Sequence, residues 1–382
     1  MPRLALRPRD PHEEHRVATP LELFTDLCYV VAVAQAALQL HHAISEDHVG
    51  HGVAYFLISF FAIWWAWLNF AWFNSAYDSD DVVNRLLTLL QILGSLVLAA
   101  GVPRIFEEDF HLAVAGYVVM RVGLVLMWLR AGSGHPECRR TIRRYVIGLL
   151  VAQACWVGFL LVPHDLIVPF FLVFALLDFA VPSWAERAGE TPWHPHHIGE
   201  RYAGFFIIVL GETVLSTTVA IQVAIDEEVV GAKVALVVVG GVLIVFSTWW
   251  LYFSRESGDA LEGDANPFLW GFGHYFIFAS GAALGAGLAA RVDYYDHHTE
   301  VGDLVTSAAV TIPTIMFLVA LWAVHIRLHD SSVQTWGPFA AVIVALAGIT
   351  FVPYSELWAG LICCVLLAVE LGLARRSTPA AC

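Results

Sequence analysis

Apolar residues run along this chain in long unbroken blocks, with polar residues gathered into the short gaps between them. The blocks fall at about 21–41, 52–73, 86–103, 111–131, 145–163, 165–183, 201–224, 231–254, 268–290, 303–326, 336–352 and 354–374, about twelve in all. Most approach the roughly 20 residues that a helix needs to cross a hydrocarbon layer. Backbone amides in lipid must be satisfied within their own segment, so each block predicts a helix and none a strand. The last two are divided only by Pro353. The pattern therefore predicts an all-α, polytopic membrane protein.

Composition sharpens that reading. Of 382 residues, 58% are apolar and only 14% charged, where a soluble protein would carry about 25% charged residues. The formal net charge of −14 argues against a nucleic-acid partner. Cys28, Cys138, Cys155, Cys363, Cys364 and Cys382 show no CxxC spacing, so they read as packing residues without a disulfide framework. Residues 1–20 read as a charged cytosolic leader before a retained first helix, because they contain no small-residue cleavage pattern.

Lysine and arginine set the expected orientation. With the N-terminus inside, the outer gaps hold only Arg104, Lys233 and Arg291, and Arg121 lies within a span; the other basic residues, from Arg3 to Arg376, fall in cytosolic segments. The outer gaps are acidic, with Glu46-Asp47, Glu107-Glu108-Asp109, Asp226-Glu227-Glu228 and Asp293. Both termini are thus expected in the cytosol.

The halves also echo one another. Glu22-Leu23-Phe24 opens the first span as Glu200-Arg201-Tyr202 opens the seventh, and Leu176-Leu177-Asp178 parallels Ala368-Val369-Glu370. We expect a six-helix repeat at 21–183, a linker at 184–200, a second repeat at 201–374 and a tail at 375–382. Six is even, so the repeats would be parallel, an arrangement common in transporters.

Two motifs carry a family resemblance. Ala18-Thr19-Pro20-Leu21-Glu22-Leu23-Phe24-Thr25-Asp26-Leu27 and His197-Ile198-Gly199-Glu200-Arg201-Tyr202, with Ile208 to Thr213, resemble the bacterial low-temperature-requirement A (LtrA) family. The chain departs from the family pattern at Thr25, where Phe is more usual, and at Cys28-Tyr29. The resemblance implies a multi-pass bacterial inner-membrane protein and no defined biochemical activity. Phe24-Thr25-Asp26 is also similar, with one substitution, to the Phe-Ser-Asp signature of a duplicated six-helix potassium-channel family.

Charges within spans are costly, so each is a functional candidate by default. Glu22 and Asp26 share a face of the first helix, one turn apart. Arg201 and Glu212 fall on one stripe of the seventh, eleven residues apart. Arg121 is expected to pair with Glu212 across the repeats. Asp26, Asp178 and Glu212 against one deeply placed arginine leave an excess of acid, the chemistry of a proton or cation path. The plainer alternatives are a packing ion pair for Arg121, a helix cap for Glu22 and Asp26, and a satisfied core residue for His274 in place of a proton shuttle. Gly204 and Gly211 read as a seam for close helix contact.

Other constellations add less. His194, His196 and His197 are metal candidates that lack a fourth ligand, and an interfacial loop competes with that reading. Asp78-Ser79-Asp80-Asp81 would suit a hard cation but also a solvated acidic loop. The chain has no Walker loop, GxGxxG, GxSxG or HExxH, so neither a cofactor nor a membrane enzyme has positive support. The expected partners are the bilayer and a small ion or solute. The leading expectation is a transporter or channel-like protein with a proton- or cation-linked path between the repeats. The alternative is a membrane scaffold or sensor for stress or cold whose buried charges are structural.

Overall fold

A computed structural model of the chain describes residues 5–10, 13, 16–226, 232–255, 257–263, 266–329 and 333–377. Arg3, Glu227, Glu228 and Cys382 lie outside the described residues. Among the described residues every regular element is helical: α1 (Pro20–Ser45), α2 (Val49–Tyr77), α3 (Val82–Phe106), α4 (His111–Gly134), α5 (Arg139–Gly158), α6 (Ile167–Glu186), α7 (Pro195–Asp226), α8 (Ala232–Phe253), α9 (Ser257–Glu262), α10 (Pro267–Tyr295), α11 (Asp303–Leu321), α12 (Arg327–His329), α13 (Val333–Ile349) and α14 (Ser355–Ser377). Among the described residues, eleven helical segments are long and apolar enough to cross a membrane. The expected span at 336–352 falls short of that length: the apolar stretch covers only Trp336–Ile349. The chain turns before α14, where Tyr354 takes a left-handed φ of 60°.

Local sequence explains where the helices start. Thr19 and Glu22 form a capping box: the Thr19 amide donates to Glu22 Oε2 at 2.8 Å, and the Glu22 amide donates to Thr19 Oγ1 at 3.3 Å. Pro20 sits at the first helical position, where its missing N–H costs nothing. Asp81 caps α3 by accepting from the Asn84 amide at 2.8 Å, and Asn266 caps α10 ahead of Pro267. A five-residue π turn, Trp322–Ile326, separates α11 from α12.

The chain divides into two compact units. Unit 1 holds Met1–Ala36 and Leu57–Gly204; unit 2 holds Ala37–Phe56 and Phe205–Cys382. This differs from the contiguous division expected of 21–183 and 201–374 in giving Ala37–Phe56 to the second unit. In unit 1, α3 packs on α4, α4 on α5 and α5 on α6. Gly94 and Gly116 allow the first of these approaches, since a Cβ on Gly116 would lie 2.7 Å from the Gly94 carbonyl oxygen. Leu6 of the leader enters a core of Phe70, Phe73, Tyr77, Trp128 and Ile142, and its amide donates to the Arg130 carbonyl at 3.3 Å. Burying that side chain contributes about 2 kcal/mol, so Leu6 ties its part of the leader to the core of unit 1. In unit 2, α10 packs on α11, α8 on α14 and α13 on α14.

Candidate functional site

Unit 1 buries a charged cluster between α1 and α7. Glu22 and Asp26 point from successive turns of α1 to Arg201 of α7. Arg201 Nη1 donates to Glu22 Oε1 at 2.8 Å, Nε donates to Asp26 Oδ2 at 3.2 Å, and Nη2 donates to Asp26 Oδ1. Trp67 of α2 also donates to Asp26 Oδ1, at 2.7 Å, and Thr19 holds the second oxygen of Glu22. One turn before Arg201, His197 Nε2 lies 3.4 Å from Glu22 Oε2. His197 Nδ1 has no hydrogen-bond partner among the described residues. Glu22, Asp26, His197 and Arg201 are all buried. With the imidazole neutral, two carboxylates face one guanidinium and the cluster carries one net negative charge.

A second buried pair lies in unit 1. Arg121 Nη2 donates to Asp178 Oδ1 at 3.1 Å, and Trp156 donates to the other oxygen at 2.7 Å. The guanidinium also lies 5.1 Å from the centre of the Tyr117 ring. The expected partner of Arg121 was Glu212; the partner it meets is Asp178, brought by the packing of α4, α5 and α6. Tyr117 and Trp156 also line an apolar cavity of about 40 Å³ with Phe61, Phe159 and Phe171.

In unit 2, Glu212 is buried and accepts from Ser216 Oγ at 2.8 Å. Among the described residues no cation lies within ion-pair distance of it. His274 Nδ1 lies 2.8 Å from the Trp270 carbonyl, and its ring centre is 6.3 Å from that of His325, which the π turn presents. Sequence reasoning missed His325. It also placed Arg291 in an outer gap, whereas Arg291 is fully buried inside α10. Its Nε donates to Glu356 Oε2 at 2.8 Å, Nη1 to Asp303 Oδ1 at 2.7 Å and Thr306 Oγ1 at 2.9 Å, and Nη2 to Tyr295 at 2.7 Å. The signal was available in length: α10 has 29 residues, more than the roughly 20 a span needs, so Arg291 falls within the helix and not in the gap after it.

Other expectations change with the geometry. His194 Nε2 lies 2.8 Å from the Glu13 carbonyl and its Nδ1 accepts the His197 amide, so the rings near α7 brace the leader and the acid cluster. His196 stands 6.1 Å from His194, ring centre to ring centre. Asp78, Asp80 and Asp81 are met by Arg9, Arg85 and Arg130, which makes the acidic run a set of ion pairs and helix caps. Burial pushes the Asp78 carboxyl up to about 6, while Arg9 and Arg16 hold it down. Burial likewise lowers Arg16 to about 10, where its guanidinium donates to the Asn74 and Ser75 carbonyls at the end of α2. The seam expected of Gly204 and Gly211 is made elsewhere. A Cβ on either would have no neighbour within 4 Å, whereas one on Gly360 of α14 would lie 2.7 Å from the Gly240 carbonyl oxygen of α8.

The family model described as bacterial low temperature requirement A protein (LtrA) matches residues 17–371. The chain is 28% identical over 271 residues to uncharacterized protein RA0937 of Rhizobium meliloti (strain 1021), a match covering 66% of this chain. The chain spans 64% of that relative's length. No solved structure matches it. The family match takes in the acid cluster, the Arg121–Asp178 pair and the buried arginine of α10, and with its many apolar helices this membrane protein belongs to the bacterial LtrA family.

Proposed function

We propose that this chain is a transporter or channel-like protein of the bacterial inner membrane that exchanges a proton or small cation at the Glu22–Asp26–Arg201–His197 cluster. The observation that carries the reading is the charge balance of that cluster. Two buried carboxylates share a single guanidinium, and a buried net charge is costly unless something neutralises it. One proton on His197, or one bound cation, restores neutrality. Protonated His197 would present a second N–H at Nδ1 while Nε2 donates to Glu22, so the imidazole has the geometry of a one-proton switch. Glu212, a buried acid of unit 2 without a cation among the described residues, is a separate candidate within that unit, with Asp178 of unit 1 and His274 of unit 2 as lesser ones.

Orientation and duplication belong to the same proposal. The arginine bias favours both termini in the cytosol. The neighbour order supports the duplication: α3 packs on α4 and α5 on α6 in unit 1, as α10 packs on α11 and α13 on α14 in unit 2.

Liposome reconstitution tests the reading. Wild-type protein should carry proton or cation flux, and Asp26→Asn and Glu212→Gln should each abolish it while leaving the protein folded. An absence of flux from the wild type, with the same substitutions changing only thermal stability, would leave the scaffold or sensor reading. That second reading draws on Arg291, whose guanidinium is held by four different side chains of unit 2 and acts there as a packing lock.

A further inference from the structure

The start of α5 breaks two rules of helix electrostatics. Arg139, Arg140, Arg143 and Arg144 all fall within its first six residues, at the end where the helix dipole disfavours cations. Arg139 and Arg143 are one turn apart, as are Arg140 and Arg144, and like charges at that spacing repel. Among the described residues no carboxylate lies within ion-pair distance of any of the four. Arg139, Arg140 and Arg143 are exposed. Arg144 turns to α6, donating to the Trp184 carbonyl at 3.0 Å with its guanidinium 5.3 Å from the indole centre.

The next turns of α5 give this charge a shape. Arg139, Arg143, Ile147, Leu150 and Val157 share one stripe at helical spacing, and every one of them is exposed. The stripe is cationic for its first turn and apolar afterwards, the profile of an anionic phospholipid laid along the helix. An excess of arginine on one membrane face accounts for basic residues in the gap before α5, but not for their continuation into an exposed apolar stripe. We infer that the start of α5 is a binding site for an anionic phospholipid, with its phosphate held by Arg139, Arg140 and Arg143 and an acyl chain along Ile147 and Leu150. Trp184, itself exposed, would mark the depth of the headgroup. This site is independent of the transport reading.

The test uses the purified full-length chain in detergent, with cardiolipin, phosphatidylglycerol, phosphatidylcholine and inorganic phosphate as probes, and bound lipid counted by native mass spectrometry. The wild type should retain the two anionic lipids in preference to phosphatidylcholine, and the retention should weaken as salt rises. Arg139→Gln, Arg140→Gln and Arg143→Gln together should lower anionic-lipid affinity on the order of a hundredfold. Arg85→Gln, at an exposed arginine paired with Asp80, should leave it unchanged. Equal retention of phosphatidylcholine by the wild type would overturn the site, as would unchanged retention in the triple variant or full displacement of lipid by phosphate alone. The first and third comparisons need only the wild type, so they decide the question even if the triple variant does not fold.

Discussion

Trp67 and Arg201 converge on one atom: both donate to Oδ1 of Asp26, the indole at 2.7 Å. An asparagine oriented with its carbonyl at that position would keep both of these bonds and lose only the one to Oδ2. Asp26→Asn should therefore fold, with stability within about 2 kcal/mol of wild type, and should lose flux because the net charge of the cluster is gone. Arg201→Gln should behave differently, stranding two buried acids at a cost of about 3–5 kcal/mol. Thermal unfolding in detergent beside liposome flux separates the two effects.

Asp178 offers a cleaner measurement of a buried pair. Removing either partner alone, as Arg121→Met or Asp178→Leu, should cost about 3–5 kcal/mol. The double substitution should recover most of that loss, since packing replaces the pair without leaving a lone charge. A double-mutant cycle giving additive losses would refute the coupling between them.

Asp78 should make stability depend on acidity. Its folded carboxyl titrates at about 6 against an ordinary 3.8, so the folded state binds the proton more tightly than the unfolded one. Its contribution to stability is thus most favourable below pH 4 and declines as pH rises from about 4 to about 6. Asp78→Asn should match the wild type below that window and exceed it above pH 6 by up to ~3 kcal/mol, a difference already net of the attraction to Arg9 and Arg16. Melting curves across the range, for both proteins, measure the difference.

Arg291 is expected to matter for unit 2 alone. Arg291→Gln should cost about 3–5 kcal/mol by leaving Glu356 buried without its cation. Limited proteolysis should then cut α10 to α14 faster while the pattern from α3 to α6 stays as in the wild type. Equal acceleration in both regions would contradict the assignment.

Much of this architecture was legible as pattern. Length and apolarity located the spans, and the one that fell short, at 336–352, was divided from its neighbour by a single proline. Glu22 and Asp26 were visible because their spacing is local. Pairings between distant helices leave no such trace. Nothing near Arg201 names Glu22, and nothing near Arg121 favours Asp178 over Glu212, because helix neighbours are settled by side-chain packing. Arg291 and Glu356 were missed for a related reason: each lies near a helix end, where a charge reads as part of a loop until a partner helix is seen to cover it.

The distance along the chain between Asp26 and Arg201, 175 residues, also sets a schedule for biosynthesis. At about 5–20 residues per second on the ribosome, the acids of α1 precede their arginine by roughly 10–35 s. Throughout that interval the nascent chain must keep the start of α1 hydrated or protonated, for no guanidinium yet exists to receive it. Any pause in translation before α7 emerges would prolong this exposed state, and such stalled chains are the ones that membrane quality control should find first.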